Sequence, residues 1–258
     1  MTAAPAGRDR SEPADENASR APLSREGFIE WLRREGASRY HDHHRYHALM
    51  HAGKLTKTQL QQWVLNRYYY QTRIPIKNAI LLSKSDDPAF RRLWIRRIQD
   101  HDGVAEGEGG LEMWLRLAEG VGLDREEVRC CRSVLPGVRF ACDAYVELVR
   151  DRSLLEGVAS SLTEFFAPDL MSRRILAWEQ HYPWVKPEML AYFRARVPRA
   201  RRDSEEAIDF VVAHAVTYAL QERCVAALVR KTEILWHLLD ATYAAYVDPG
   251  WGPDGPRA

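Results

Sequence analysis

Helical periodicity runs through almost every internal segment of this chain, and no stretch of useful length alternates apolar and polar residues as a strand would. Cap and turn chemistry then divides the periodic tract. Ser24 is placed to cap a first helix carrying Phe28, Ile29, Trp31 and Leu32. Thr56 and Gln59 form a capping box, each able to satisfy a free N–H, and Leu60, Trp63, Val64, Arg67 and Gln71 follow on one side. Pro75 should kink or end that helix. Asp87-Pro88 opens a third, with a buried stripe of Phe90, Trp94, Arg97 and His101. The pair Gly109-Gly110 separates it from a fourth, carrying Leu111, Trp114, Leu115 and Ala118, which Gly122 is placed to end. Further helical segments cover about 138–149 and 154–166, and a short one opens at Pro187. A long tract runs from about 202 to 246, with a break near Thr217-Tyr218. The expected fold is all-α: a compact single-domain bundle of about seven helices over residues 22–247. A disordered N-terminal tail (1–21), rich in Ala, Pro, Glu and Arg, and a C-terminal tail (248–258) are expected to flank it.

The charge balance narrows the function classes. Thirty-seven basic and 36 acidic residues leave a formal +1, which gives no global argument for nucleic acid or a membrane surface as partner. No apolar run approaches membrane-spanning length, and the first residues lack the apolar stretch of a secretory signal. Cys130, Cys131, Cys142 and Cys224 make no C-x-x-C pair and no zinc-ligand spacing, so they read as reduced thiols of a cytoplasmic protein.

Polar residues on apolar stripes carry the functional signal. Arg67, Tyr70 and Gln71 share a face with Trp63. Arg97 and His101 lie four apart beside Trp94, Tyr192 and Arg196 lie four apart beside Phe193, and Lys231 sits among Leu228, Leu235 and Leu238. Each alone reads more simply as a snorkelling cation or a hydrogen-bonded core histidine. A charge taken from water needs a partner, however, and several helices repeat the pattern. If the faces converge, they enclose a cationic pocket suited to a small polycarboxylate, because planar guanidiniums bind carboxylates through two parallel hydrogen bonds. The cluster RYHDHHRYH, with His51 beyond it, invites a metal reading, since His47 and His51 would share a helix face. H-E-x-x-H and paired E-x-x-H motifs are lacking, so a helix-start cluster that orders a loop or meets an anion is preferred.

Several blocks resemble the pyrroloquinoline-quinone (PQQ) synthase family: RYHDHHRYHALMHAGKLT, QQWVLNRYYYQTRIPIKNA, RRLWIRRIQDHDG, GGLEMWLRLAEGVGL, VLPGVRFACDAY, SSLTEFFAP, QHYPWV and KTEILWHLLDA. They occur in order from about Ser24 to Tyr246. The resemblance implies a haem-oxygenase-like fold, a homodimer and no metal or organic cofactor. It also implies the last step of PQQ biosynthesis, in which a hexahydroquinoline tricarboxylate closes its pyrrole ring and is oxidised by O2 with H2O2 formed. Other PQQ-pathway proteins are the implied further partners.

Carried over motif by motif, the resemblance assigns Tyr40, His41, Arg67, Tyr70, Gln71, Arg97, Tyr145, Arg174 and Lys231 to substrate binding. It assigns His101, Tyr192, Arg196 and Glu164 to the chemistry. Met171 departs from the pattern, standing where the family carries a pocket histidine, and methionine donates no proton. His101 is the preferred base because an ordinary histidine titrates nearest the working pH. Two other readings stay open. One is a metal-dependent oxygenase on the same helices that uses the histidine cluster; the other is a PQQ-binding carrier with reduced turnover, motivated by Met171.

Overall fold

The capping signals act where the sequence places them. In the computed structural model, which describes residues 20–248, the Ser24 side chain accepts from the Gly27 N–H and starts α1 (Arg25–Arg39). A 3-10 turn (His41–His43) leads to α2 (Arg45–His51), whose N-cap is His44: its Nδ1 accepts from the Tyr46 N–H at 3.0 Å. The Thr56–Gln59 capping box opens α3 (Lys57–Ser83). Asp87 caps α4 (Pro88–Trp94), and a break at Ile95 separates it from α5 (Arg96–Asp102). There follow α6 (Gly109–Gly120), α7 (Arg125–Cys130), α8 (Pro136–Asp151) and α9 (Leu154–Ser160). A 3-10 helix (Ser161–Phe165), α10 (Ala167–His181), a 3-10 turn (Pro187–Leu190), α11 (Ala191–His214) and α12 (Tyr218–Tyr246) complete the chain. The two tails expected at 1–21 and 248–258 lie almost wholly outside the described residues.

Among the described residues there are twelve α-helices where about seven were expected. The expected third helix is divided at Ile95 into α4 and α5, and α2, α7 and the fifteen-residue α10 lie outside the expected helical segments. Pro75 does not end α3, which continues to Ser83. Every residue from Trp63 to Gln71 on that helix is buried, so neighbours packed on all sides hold it in place of the one backbone bond that proline removes. The expected one-sided stripe is therefore a helix buried all round. α8 and α5 pack along it, α12 packs against α8 and α9, and α10 lies along α11.

The glycine pair does more than separate two helices. Gly109 has φ +84°, and a Cβ there would lie 2.5 Å from the His101 carbonyl oxygen. A Cβ on Gly110 would approach the Tyr192 ring at 3.2 Å. Only glycine allows α6 to start this close to the end of α5, and the contact fixes His101 and Tyr192 relative to each other.

Candidate active site

Most of the polar residues singled out on separate helices converge. Tyr40 and His41 come from the α1–α2 turn, Arg67, Tyr70 and Gln71 from α3, and His101 from the last turn of α5. Glu164 comes from the 3-10 helix, Met171 and Arg174 from α10, and Tyr192 and Arg196 from α11. These side chains line one outer cavity, with an empty volume of about 540 Å³ that includes its opening to solvent. Ile74, Thr163 and Leu235 also line it and were not anticipated. Ile74 and Leu235 each stand four residues beyond a singled-out residue (Tyr70 and Lys231), which is the helical spacing that could have revealed them.

Three expected ligand-binding residues lie one layer back. Arg97 and Tyr145 line a smaller inner cavity of about 340 Å³, which shares Tyr70, Ile74, His101, Thr163, Glu164 and Arg196 with the outer one. Arg97 is already engaged: it donates to Glu206 at 2.9 Å and to the Asp203 carbonyl at 2.7 Å, and its guanidinium lies 3.8 Å from the Trp94 ring centroid. Lys231 lines neither cavity. Its Nζ donates to the Tyr70 hydroxyl at 3.0 Å and sits 3.4 Å above the Tyr145 ring.

Arg67 and Arg174 differ from the other buried arginines. Arg196 pairs with Glu164 and, at 3.5 Å, with Asp203; burial opposes its charge, but those carboxylates outweigh it and raise its pKa. No carboxylate among the described residues lies within ion-pair distance of Arg67 or Arg174. Arg67 stacks on Tyr70 at 4.0 Å and its Nη1 has no hydrogen-bond partner. Arg174, 2% exposed, donates to His47 Nε2 at 3.1 Å, touches Met171 Sδ at 3.9 Å, and leaves its Nε without a partner. Burial, followed by repulsion from Arg67, lowers the Arg174 pKa to about 9, so it remains cationic at neutral pH. Both guanidiniums thus bring N–H groups without an acceptor to a cavity wall.

The histidines turn to different partners. His47 Nδ1 lies 3.0 Å from the His41 carbonyl, to which it can only donate, leaving Nε2 to accept from Arg174. His44 Nε2 meets Asp240 at 3.0 Å. Among the described residues, no group of three or more His, Cys, Asp or Glu side chains is arranged as a metal-ligand set. His44 caps α2, and His47 Nε2 accepts from Arg174.

The reason given for choosing His101 needs correcting. Burial, then Arg196, drives its pKa down to about 3, so it is neutral at working pH instead of half-titrated. Its Nδ1 donates to the Arg97 carbonyl at 3.0 Å, which leaves Nε2 as a lone-pair acceptor. Tyr192 donates to Gln71 Oε1 at 2.7 Å and completes that wall.

One measurable consequence is acid sensitivity. His41, His47 and His101 are fully buried, and burial lowers the pKa of each; His51 falls to about 4 for the same first reason. An unfolded histidine titrates near 6.5, so below that pH the unfolded chain binds more protons than the folded one. Stability is therefore complete above about pH 7 and is lost as pH falls toward the folded values. For the three fully buried histidines the slope near pH 5 is about 4 kcal/mol per pH unit. Urea melts between pH 7.5 and 4.5 measure it; stability level down to pH 5 would show that the histidines are not buried neutral.

An all-helical shell around an enclosed, cation-lined cavity defines the class. It matches solved structures in fold: a domain of unknown function with a haem-oxygenase-like fold from Shewanella denitrificans (TM-score 0.70, 15% identity, 92% of this chain and 99% of that one) and a TenA homologue from Pseudomonas syringae pv. tomato (TM-score 0.64, 16% identity, 91% and 98%). The chain belongs to the TENA/THI-4/PQQC family, which it matches over residues 31–241. It is 52% identical to proteins named pyrroloquinoline-quinone synthase from Acidiphilium cryptum (87% of this chain, 91% of that one) and Rhizobium meliloti (90% of each). A protein named bifunctional coenzyme PQQ synthesis protein C/D, from Methylorubrum extorquens, is 48% identical over 90% of this chain and 62% of its own length.

Proposed function

We propose that this protein catalyses the last step of PQQ biosynthesis, the O2-dependent ring closure and oxidation of the hexahydroquinoline tricarboxylate precursor. The observation that carries this reading is the pair of buried guanidiniums, Arg67 and Arg174, which face one enclosed cavity without a carboxylate partner. Relatives half identical over nearly the whole chain, and named for this activity, give the anion its identity.

In this reading Arg67, Arg174 and Gln71, with Tyr40 and His41, hold carboxylates and quinone oxygens. Arg97 and Lys231 act from behind through the field they set up, since both are engaged with protein groups. The substrate is itself the reductant, so the chemistry calls for no metal or organic cofactor. The quinol-level ligand gives up electrons and protons, and O2 takes two of each to become H2O2. The protein accepts protons at His101 Nε2 and stabilises the charge that appears on oxygen with Tyr192 and Arg196. Glu164, bonded to Arg196, orients that guanidinium. A homodimer in the cytoplasm and contact with other pathway proteins complete the proposal; the M. extorquens relative, named for two PQQ-synthesis proteins and longer than this chain, supports the last point.

Incubation with the precursor in air, beside an anaerobic control, tests this. The PQQ chromophore, O2 consumption and peroxide should appear only in air. A spectral shift of added PQQ without conversion of precursor would instead identify a carrier. Iron stoichiometric with activity would identify a metal-dependent oxygenase.

A further inference from the structure

Lys77 has no part in the mechanism above, yet it stands in the wall of the inner cavity, 4% exposed and with no carboxylate in ion-pair distance among the described residues. It donates one hydrogen bond, to Ser161 Oγ at 2.8 Å, although an ammonium has three N–H groups. The Ser161 and Ser160 hydroxyls also interact with the Tyr145 phenol. His101, Glu164 and Arg196 line both cavities, which places these side chains between Lys77 and the wall where oxygen is reduced in the proposed reaction.

We propose that Lys77 is the proton-exchanging group of the inner cavity. It releases an ammonium proton toward the forming peroxide when oxygen is reduced, and recovers the proton that His101 Nε2 takes from the substrate. This rests on the proposed oxidase reading and makes Lys77 a positioning group acting through His101, because it lines the inner cavity and not the outer one. Proton balance is kept: each H2O2 needs two protons, the oxidised substrate releases two, and Lys77 holds one in transit.

The groups facing Lys77 favour such exchange. Arg97 and His101 face it from α5 and Tyr145 from α8. Glu164 faces it from the 3-10 helix, Arg196 and Asp203 from α11, and Lys231 from α12. Burial and then Arg97 drive its proton off, Glu164 and Asp203 hold it on, and the balance leaves a pKa of about 7. A polyanion in the outer cavity favours the charged form, so ligand binding should draw a proton in.

Calorimetric titration with PQQ at pH 7.5, in two buffers of different ionisation heat, reads that proton uptake without turnover. The parent should take up protons, and Lys77→Met should lose most of that uptake while keeping PQQ affinity within about threefold. With precursor in air, Lys77→Met should oxidise about 100-fold more slowly and lose the rate limb near pH 7. Lys77→Arg, permanently charged, should be equally slow. Either variant retaining the parent's rate and pH limb within about twofold overturns the proposal. Should Lys77→Met fail to fold, Ser161→Ala removes the lysine's acceptor and should move the limb; an unmoved limb overturns the proposal as well. A parent that takes up protons through Lys77 yet forms no PQQ supports Lys77 as the exchanging group and overturns the oxidase reading instead.

Discussion

Replacing Arg174 with methionine is expected to raise the stability of the ligand-free protein and to weaken PQQ binding by about 100-fold. Both effects follow from one geometry. Arg174 is fully enclosed by α10, α11 and the α1–α2 segment, lies over the Trp63 and Phe193 rings at 4.8 and 5.4 Å, and has no carboxylate partner among the described residues. Its charge is disfavoured by burial and by Arg67, as its lowered pKa records. Removing a buried unpaired cation in favour of an apolar side chain of similar length ends that repulsion, and such exchanges stabilise proteins by about 1–4 kcal/mol. His47 loses one donor, a smaller effect. In the complex the sign reverses. A bound carboxylate would lose a charge-assisted partner in a dry site, at a cost of about 2–5 kcal/mol. Thermal melts with and without PQQ, together with a binding isotherm, test both halves. A variant that melts lower and binds PQQ as before would make Arg174 a structural residue.

That trade-off also explains what could be read from the sequence. Ser24, Thr56 with Gln59, and Asp87-Pro88 act within four residues of themselves, so their capping roles follow from order alone. Arg67 and Arg196 on apolar stripes were legible because burial of a charge shows in helical spacing. Whether that charge is paired does not show there. Arg97 and Arg67 look alike in sequence, yet Arg97 meets Glu206 and Asp203 from α11, more than a hundred residues away, whereas Arg67 meets none. Lys77 was overlooked for the opposite reason. It follows Tyr70 and Ile74 on the α3 stripe, but beyond Pro75, where the helix was expected to kink or stop.

The second large effect is expected at His101. His101→Ala should slow precursor oxidation by 100-fold or more and leave PQQ affinity within about threefold. Affinity should hold because the neutral imidazole contributes no charge, and the guanidiniums proposed to bind the anion are carried by α3 and α10 and not by α5. The rate should fall because His101 brings to the outer cavity a neutral imidazole whose orientation is fixed by a backbone hydrogen bond and whose second nitrogen is left free. The Arg97 carbonyl holds Nδ1–H, and the Gly109 approach seats the carbonyl of His101 itself against α6. That backbone anchoring leaves Nε2 as the one atom of the ring free to accept a proton. Burial, and then Arg196, hold its pKa at about 3. Bound carboxylates offset Arg196 and the other cations, so the imidazolium becomes easier to form only once substrate is present. The acidic limb of the rate with saturating precursor should therefore lie above pH 3 in the parent and be absent in His101→Ala. His101→Asn, which keeps an acceptor but cannot hold the proton, should be nearly as slow. Oxidation at the parent's rate in either variant would remove His101 from the chemistry and leave the base to be sought among Tyr40, His41 and Tyr192, all of which line the same wall. Of these, the tyrosines have their pKa raised by burial and His41 has its lowered, so each would begin as a poorer base in the opposite sense: the phenols already protonated, and His41 with its Nδ1 lacking any partner to fix it.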